Sequence, residues 1–394
     1  MRYLSRVLPD PDRILIPREQ ASHQAHPHNA AAFRSQVVRG PDALDAYVDA
    51  IDALAGTALE ANPFYEPWLL IPALKTLADA QVRVVLVWQG DRLSGLFPLH
   101  LQPAGWRSGP ARLRLWQHRY CFLCTPLVAA DAAAGTWATL LDWVQHHAHP
   151  ATLLELQKVG AAGAFEQSLQ AALQASTRWS HRLRRYERAL LQVGEGQAMP
   201  GLTGKRLKEF RRIERRLADR GRVTFSLLAH QEDPTAWIDR FLALEASGWK
   251  GEQGTALSTD PQGRQFFIEA TQQAHRQGKL HMLALELDGD AIAMQCNFLC
   301  NGGGYAFKVA FDERHAAFAP GVQLELFAMR QFASLDPPVA WVDSCAHADH
   351  ALMNRLWTDR RPLADWELAA PTLSGRLWLA RRRLQAWLRA RVPR

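Results

Sequence analysis

Three side chains in the last third of the chain have the chemistry to move a proton or steady a charge. Asp343 ends the apolar run Val339–Asp343 and is followed by Ser344 and Cys345. His350 closes Cys345-Ala346-His347-Ala348-Asp349-His350, and a free imidazole titrates near neutrality, which suits a general base or a helix start. Lys308, inside the run Tyr305–Phe311, offers a cation to a phosphate or to Asp312. Beside them, the run Ala291–Leu299 alternates. Ile292, Met294, Cys296 and Phe298 share one face, and Gln295 and Asn297 share the other. If the apolar faces of these two strands agree, a register with Gln295 opposite Lys308 is allowed and one shifted by a residue is not. The polar face would then present an amide, a lysine and, at its exit, Asp312. The same alternation is also the ordinary mark of a half-buried strand facing water, and Asp343 equally suits a cap on the turn that follows it.

Other clusters point less clearly to chemistry. Cys121 and Cys124 form one C-x-x-C in an apolar run, with no second pair to complete a metal site. His347 and His350 are metal ligands by type, again without a second cluster. His146, His147 and His149 fall at a helix end, where imidazole suits the carbonyl terminus. We therefore expect no metal.

The elements that must hold these residues repeat. Leu280–Leu287, the turn Asp288-Gly289-Asp290, Ala291–Leu299, the turn Asn301–Gly304 and Tyr305–Phe311 read as a three-stranded unit, followed by a loop and a helix from Val322. Read from Phe33 and again from Val223, each half gives the order β-α-α-β-β-β-α-β-α-β, which predicts a duplicated α/β (α+β) unit. The divisions expected are an extended segment over 1–32, an N-terminal domain over 33–200, a basic linker helix over 201–222, a C-terminal domain over 223–370 and a basic tail helix over 371–394. In the linker, nine Lys/Arg between 205 and 222 face Glu209, Glu214 and Asp219, while Leu207, Phe210, Ile213 and Leu217 form one apolar stripe. The tail carries seven arginines from Arg376 to Arg394 around Leu377, Trp378, Leu384, Trp387 and Leu388. Such a helix suits an anionic membrane surface, its own domain or a second subunit.

At 394 residues and 48% hydrophobic composition the chain can bury a large core, which excludes a disordered protein. The +7 formal charge favours polyanionic neighbours. Five cysteines make no disulfide framework, the first residues hold no apolar signal core, and no apolar run is long enough to span a bilayer. The expected location is cytoplasmic, with peripheral attachment at the inner membrane face.

Further motifs carry a family resemblance. Phe241–Glu245, Gly248-Trp249-Lys250-Gly251, Gly254–Leu257, Tyr305–Lys308, Phe311-Asp312-Glu313 and Pro320-Gly321 resemble the BioF2-like, CelD-like acetyltransferase domain of the GNAT superfamily, a group related to the Fem-type aminoacyltransferases. The resemblance is strongest over about 200–368. It implies two tandem GNAT-like domains with mixed, mostly antiparallel sheets flanked by helices. It also implies transfer of an acetyl or other acyl group from acetyl-CoA or another acyl-CoA to an amine or hydroxyl. The acceptor implied is an envelope polysaccharide or lipid-linked precursor. Acyl transfer needs a base, a donor toward the carbonyl oxygen, and positioning. On this resemblance Asp343, Lys308 and His350 are the catalytic candidates. Phe311, Pro320, Gly321 and Val322 would meet the donor, and Trp249, Lys250, Gln295, Asn297 and Asp312 the acceptor. The family's glycine-rich phosphate loop is here Arg314–Gly321, with one glycine and a proline that lacks an N–H. Two alternatives follow: a Fem-like transferase using aminoacyl-tRNA, with the linker helix on RNA phosphates, or a degenerate pair acting as a scaffold in an envelope-polysaccharide synthesis complex.

Overall fold

The computed structural model describes residues 32–105, 109–147, 149–176, 178–194, 204–248, 251, 253–370 and 372–390. The first half runs β1 (Phe33–Val38), α1 (Val48–Thr57), α2 (Pro67–Leu77), β2 (Val82–Gln89), β3 (Arg92–Gln102), β4 (Arg112–Leu115), a short β5 (Leu127–Val128), α3 (Ala133–His147), β6 (Leu153–Gly160), α4 (Gly163–Ala175) and β7 (Ser180–Gln192). Helix α5 (Gly204–Ala218) leads to the second half: β8 (Val223–Leu227), α6 (Thr235–Ser247), α7 (Pro261–Arg276), β9 (Leu280–Leu287), β10 (Asp290–Cys300), β11 (Gly303–Phe311), α8 (Pro320–Phe332), β12 (Trp341–Asp343), α9 (Ala351–Leu356) and β13 (Asp359–Ala369). Helix α10 (Leu373–Ala390) follows. The mixed α/β architecture and the order of elements in both halves are those expected from the sequence.

One sheet carries both halves, in the order β1-β2-β3-β4-β6-β13-β7-β12-β11-β10-β9-β8, with β5 set aside against β3. Exchange each strand for its counterpart in the other half and the order reads the same backwards. Each half's last strand is inserted beside the other half: β13 pairs with β6, and β7 with β12. Each half also has one parallel step, β4 to β6 and β11 to β12. The two central strands, β7 and β13, pair antiparallel over most of their lengths.

Local sequence explains the turns. Asp288 (φ 53°) and Gly289 (φ 94°) form the tight β9–β10 connection, and Asn301 (φ 43°) with Gly302 (φ 73°) the β10–β11 one, both needing left-handed backbone. At Gly303 a Cβ would lie 2.4 Å from the Trp341 ring, so glycine there allows β12 to pack beside β11. On α5 the stripe forms as expected: Leu217 is buried and Leu207, Phe210 and Ile213 are half-buried, while the charged faces meet solvent.

The expected register between β10 and β11 holds over Asn297–Cys300, but from Ala293 to Cys296 it is shifted by one residue. Gln295 lies opposite Val309, and Lys308 opposite Cys296, with a bulge immediately after. The bulge adds a residue on β11 and re-aims the side chains around it. Nor does the polar face meet water, since Gln295 and Asn297 are both buried. Alternation signalled a half-buried strand, but both faces of β10 are covered.

Candidate active site

The parallel pairing of β11 with β12 stops at Tyr305 opposite Asp343. Beyond it the two chains splay, and the gap opens into a cavity of about 610 Å³. Residues 306–311 of β11 form one wall, and Ser344, Cys345 and Ala346 the other. Helices α6, α8 and α9 close it with Leu244, Glu245, Val322, Glu325, Leu352 and Met353. The lining is largely apolar. Past Tyr305, β11 no longer has β12 as a partner, and the splayed strands open an apolar cleft with room for an extended ligand.

The matching gap in the first half is closed. There β4 and β6 stop pairing at Arg114 opposite Glu155, and residues 116–126 fill the space beyond. The Cys124 N–H bonds to the Lys158 carbonyl (3.0 Å) and the Gly160 N–H to Thr125 Oγ1 (2.9 Å). Asn62 Nδ2 donates to the Thr125 carbonyl (2.7 Å), and Tyr65 donates to that of Trp116 (2.9 Å). Cys121 and Cys124 are buried in this plug, their sulfurs 3.7 Å apart. The same segment reaches the second half. Tyr120 stacks on Phe266 at 5.4 Å, Arg119 pairs with Asp260, and Phe122 lines the open cavity. The first half thus supplies a wall to the cavity of the second.

Glu325 is the most unusual group there. It lies on α8 on the same side as Ala328, Met329 and Phe332, all buried. Gln295 Nε2 donates to its Oε2 at 3.0 Å. Glu325 Oε1 and Gln295 Oε1 are buried and have no hydrogen-bond partner among the described residues. Burial pushes the Glu325 carboxyl up to about 7, against the opposing effects of Gln295 and of the Trp357 indole. A carboxylate poised near neutrality at a cavity wall is suited to accept a proton. Sequence reasoning missed it, although an acid on a helix's apolar stripe was the available signal. Glu245, on the Ile238, Phe241, Leu242 stripe of α6, was missed in the same way.

Lys308 lines the cavity. Its Nζ is 3.1 Å from Glu245 Oε1 and lies over the Tyr120 ring at 5.1 Å, while Glu245 Oε2 accepts from the Leu257 N–H (2.8 Å). The lysine is thereby a fixed cation beside the cavity.

His350 also borders the cavity, but as the N-cap of α9, its Nδ1 accepting from the Met353 N–H at 3.2 Å. In the neutral ring the proton then sits on Nε2, so basic work would break the cap. We predict that His350→Ala costs on the order of 1 kcal/mol in urea unfolding and changes kcat less than about threefold. A loss of about a hundredfold, as for a proton-transfer group, would return His350 to the chemistry.

Asp343 does not reach the cavity, which corrects its assignment as base. It is fully buried, with Oδ2 2.5 Å from Arg188 and 2.7 Å from Arg361, and Oδ1 accepting from the Cys345 N–H (2.9 Å). Burial alone would raise its pKa, but the Arg188 and Arg361 guanidiniums outweigh this and hold it below the usual carboxylate range. Arg361 pairs in turn with Glu60. Asp343 therefore ties β12 to β7, β13 and the first half, and caps the left-handed Cys345 (φ 52°). Burial and Asp343 also raise the Cys345 thiol, which removes it as a nucleophile.

Asn297 is buried away from the cavity, 3.3 Å from His281 Nδ1. Asp312 is turned to its own loop. It accepts from the Arg314 backbone (2.9 Å) and guanidinium and lies 3.2 Å from His315 Nδ1; Arg314 holds its carboxyl below the usual range against the opposing effect of burial. Neither is placed to meet an acceptor in the cavity. Trp249 and Lys250 lie outside the described residues, next to the cavity-lining Gly248.

Phe311, Pro320, Gly321 and Val322 do come together, at the cavity's edge. Ala319 adopts the left-handed conformation and Pro320 opens α8. The Val322 and Gln323 N–H groups both bond back to the Ala319 carbonyl (3.0 and 3.1 Å). Among the described residues this leaves Gly321 as the first-turn donor of the helix. The turn is no cradle for a pyrophosphate, whereas the splayed strands do fit an extended arm.

Comparison with known proteins agrees with this architecture. Residues 204–364 match the family model described as an acetyltransferase (GNAT) domain. No curated protein matches the chain by sequence. FemX is similar in structure, at a TM-score of 0.54 and 10% identity over 85% of this chain and 98% of that one. The C-terminal domain of a protein named as a lysylphosphatidylglycerol synthetase from Agrobacterium fabrum follows at 0.51 and 12% over 85% and 95%. L-PGS from Bacillus licheniformis gives 0.50 and 11% over 85% and 96%. At such identities the likeness is one of fold. Residues 204–364 thus carry a GNAT acetyltransferase domain, and the protein is an acyltransferase.

Proposed function

We propose that the protein transfers an acyl group from acyl-CoA to an amine or hydroxyl of an envelope polysaccharide or lipid-linked precursor, in the cavity between β11 and β12. The observation that carries this reading is a buried carboxylate, Glu325, held near neutrality at the wall of an apolar cleft between two splayed strands. An extended donor arm lies in the cleft between β11 and β12 and places its carbonyl near the carboxylate. The acceptor's N–H or O–H proton passes to Glu325 as its nitrogen or oxygen bonds to the acyl carbon. The carbon–sulfur bond breaks, and the departing thiolate takes up the proton that Glu325 accepted, which restores the carboxylate. Lys308, fixed by Glu245, steadies negative charge on the donor or acceptor.

A second reading has a tRNA-borne aminoacyl donor. Its support is the missing pyrophosphate cradle together with α5. That helix carries seven Lys/Arg and packs on the Glu313–Phe318 turn, with Arg216 over Phe318 at 5.9 Å. Titration calorimetry with acetyl-CoA, longer acyl-CoAs and pantetheine separates the two. Saturable binding of acetyl-CoA supports the first. No heat at millimolar ligand, with tRNA binding that weakens steeply as salt rises, supports the second.

A further inference from the structure

Helix α10 presents a surface that acyl transfer in the cavity does not use. It holds five arginines and no acidic residue, and the chain has no Asp or Glu after Glu367. Its inner face anchors it. Leu379 is fully buried against Leu153 and Ala369, and the Trp378 ring packs on Gly109 with the Arg112 guanidinium 5.9 Å from its centre. Arg382 lies 3.6 Å from Glu367, and Arg383 donates to the Ser180 carbonyl. The helix is therefore already docked on its own sheet.

The outer face is apolar. Leu373, Leu377, Leu384 and Leu388 recur at spacings of four, seven and four, which at 3.6 residues per turn sets them in one line. They are 76, 62, 56 and 50% exposed. Arg376 and Arg381, both exposed, flank the line on either side. A helix held only by its inner face has no need of four leucines on the outer one.

We infer that this stripe docks the protein on an anionic bilayer surface, with α10 lying in the membrane plane, its leucines at the acyl boundary and Arg376 and Arg381 at lipid phosphates. Charge complementarity selects this occupant. A second copy docked on the same stripe would bring two helices of arginines together with no acid between them, whereas anionic headgroups supply the missing charge. No helix among the described residues is long and apolar enough to cross a membrane, so α10 lies on the surface. The inference goes beyond the reading of the cavity and does not depend on it.

The test is co-sedimentation of the full chain with phosphatidylcholine vesicles, with and without phosphatidylglycerol, at low and high salt. Binding is expected to be about tenfold or more tighter to the anionic vesicles and to weaken with salt. The triple variant Leu377→Ser, Leu384→Ser, Leu388→Ser should lose that binding while keeping its melting temperature and any acetyl-CoA binding. Arg376→Gln with Arg381→Gln should lose the anionic preference. Equal binding of both vesicle types, or unchanged binding by the triple leucine variant, would overturn the inference. So would a dimer seen by light scattering that the leucine variant dissociates.

Discussion

Replacing Glu325 by Gln should lower kcat by about a hundredfold to ten-thousandfold while leaving the protein folded and able to bind its donor. The substitution keeps the shape of the side chain and its hydrogen bond with Gln295 but removes the proton acceptor. In the wild type the base must be ionised, so kcat should rise with pH through about 7, where burial places this carboxyl. That limb should vanish in the variant. Stability should move the opposite way. A carboxyl whose folded pKa lies above its unfolded value contributes stability that is fully present below the unfolded pKa, about 4.5, and lost as pH rises through about 7. Glutamine carries no such penalty. Urea unfolding should find the variant equal to wild type near pH 4.5 and more stable at pH 8, by on the order of 3 kcal/mol. A variant that is both slower and more stable identifies a group kept for chemistry rather than for packing. A variant of unchanged kcat would leave Glu325 as a buried polar residue only.

The second large effect lies at Asp343. Asp343→Ala leaves Arg188 and Arg361 close together, buried and without their shared carboxylate, and should destabilise the protein by about 3–5 kcal/mol. The loss should appear in chemical unfolding and in soluble yield, with kcat per folded molecule nearly unchanged. Its pH dependence follows from the depressed carboxyl. The stability it contributes is present above the unfolded pKa, near 4, and is lost as pH falls through the lower folded value. Wild type should therefore lose stability in acid more steeply than the Ala variant does. Retained stability with lost turnover would return Asp343 to the active site.

The contrast between these two acids shows what was legible in the sequence. The order of elements came through because turn chemistry at Asp288-Gly289 and Asn301-Gly302, and the apolar stripe of α5, are local signals. The α8 start, with Phe311, Pro320, Gly321 and Val322, came through as motif. The roles of Asp343 and His350 did not, because type and position near a strand end say nothing of partners. Arg188 and Arg361 reach Asp343 from strands 155 and 18 residues away in sequence. The exchange of β7 and β13 that brings them there has no local signature. Glu325 became informative only once α8 was known to turn that face to the cavity. The bulge after Cys296 likewise upset a register argued from alternation, since one extra residue reverses the alternation.

Ala316 allows the placement of the donor to be tested most directly. It lines the cavity and is exposed, so a larger side chain there fills the mouth without entering the core. Acetyl-CoA affinity measured by calorimetry should fall at least about tenfold in Ala316→Trp, at an unchanged melting temperature. Acetyl-CoA that binds wild type and this variant equally would place the donor elsewhere and contradict a site between β11 and β12.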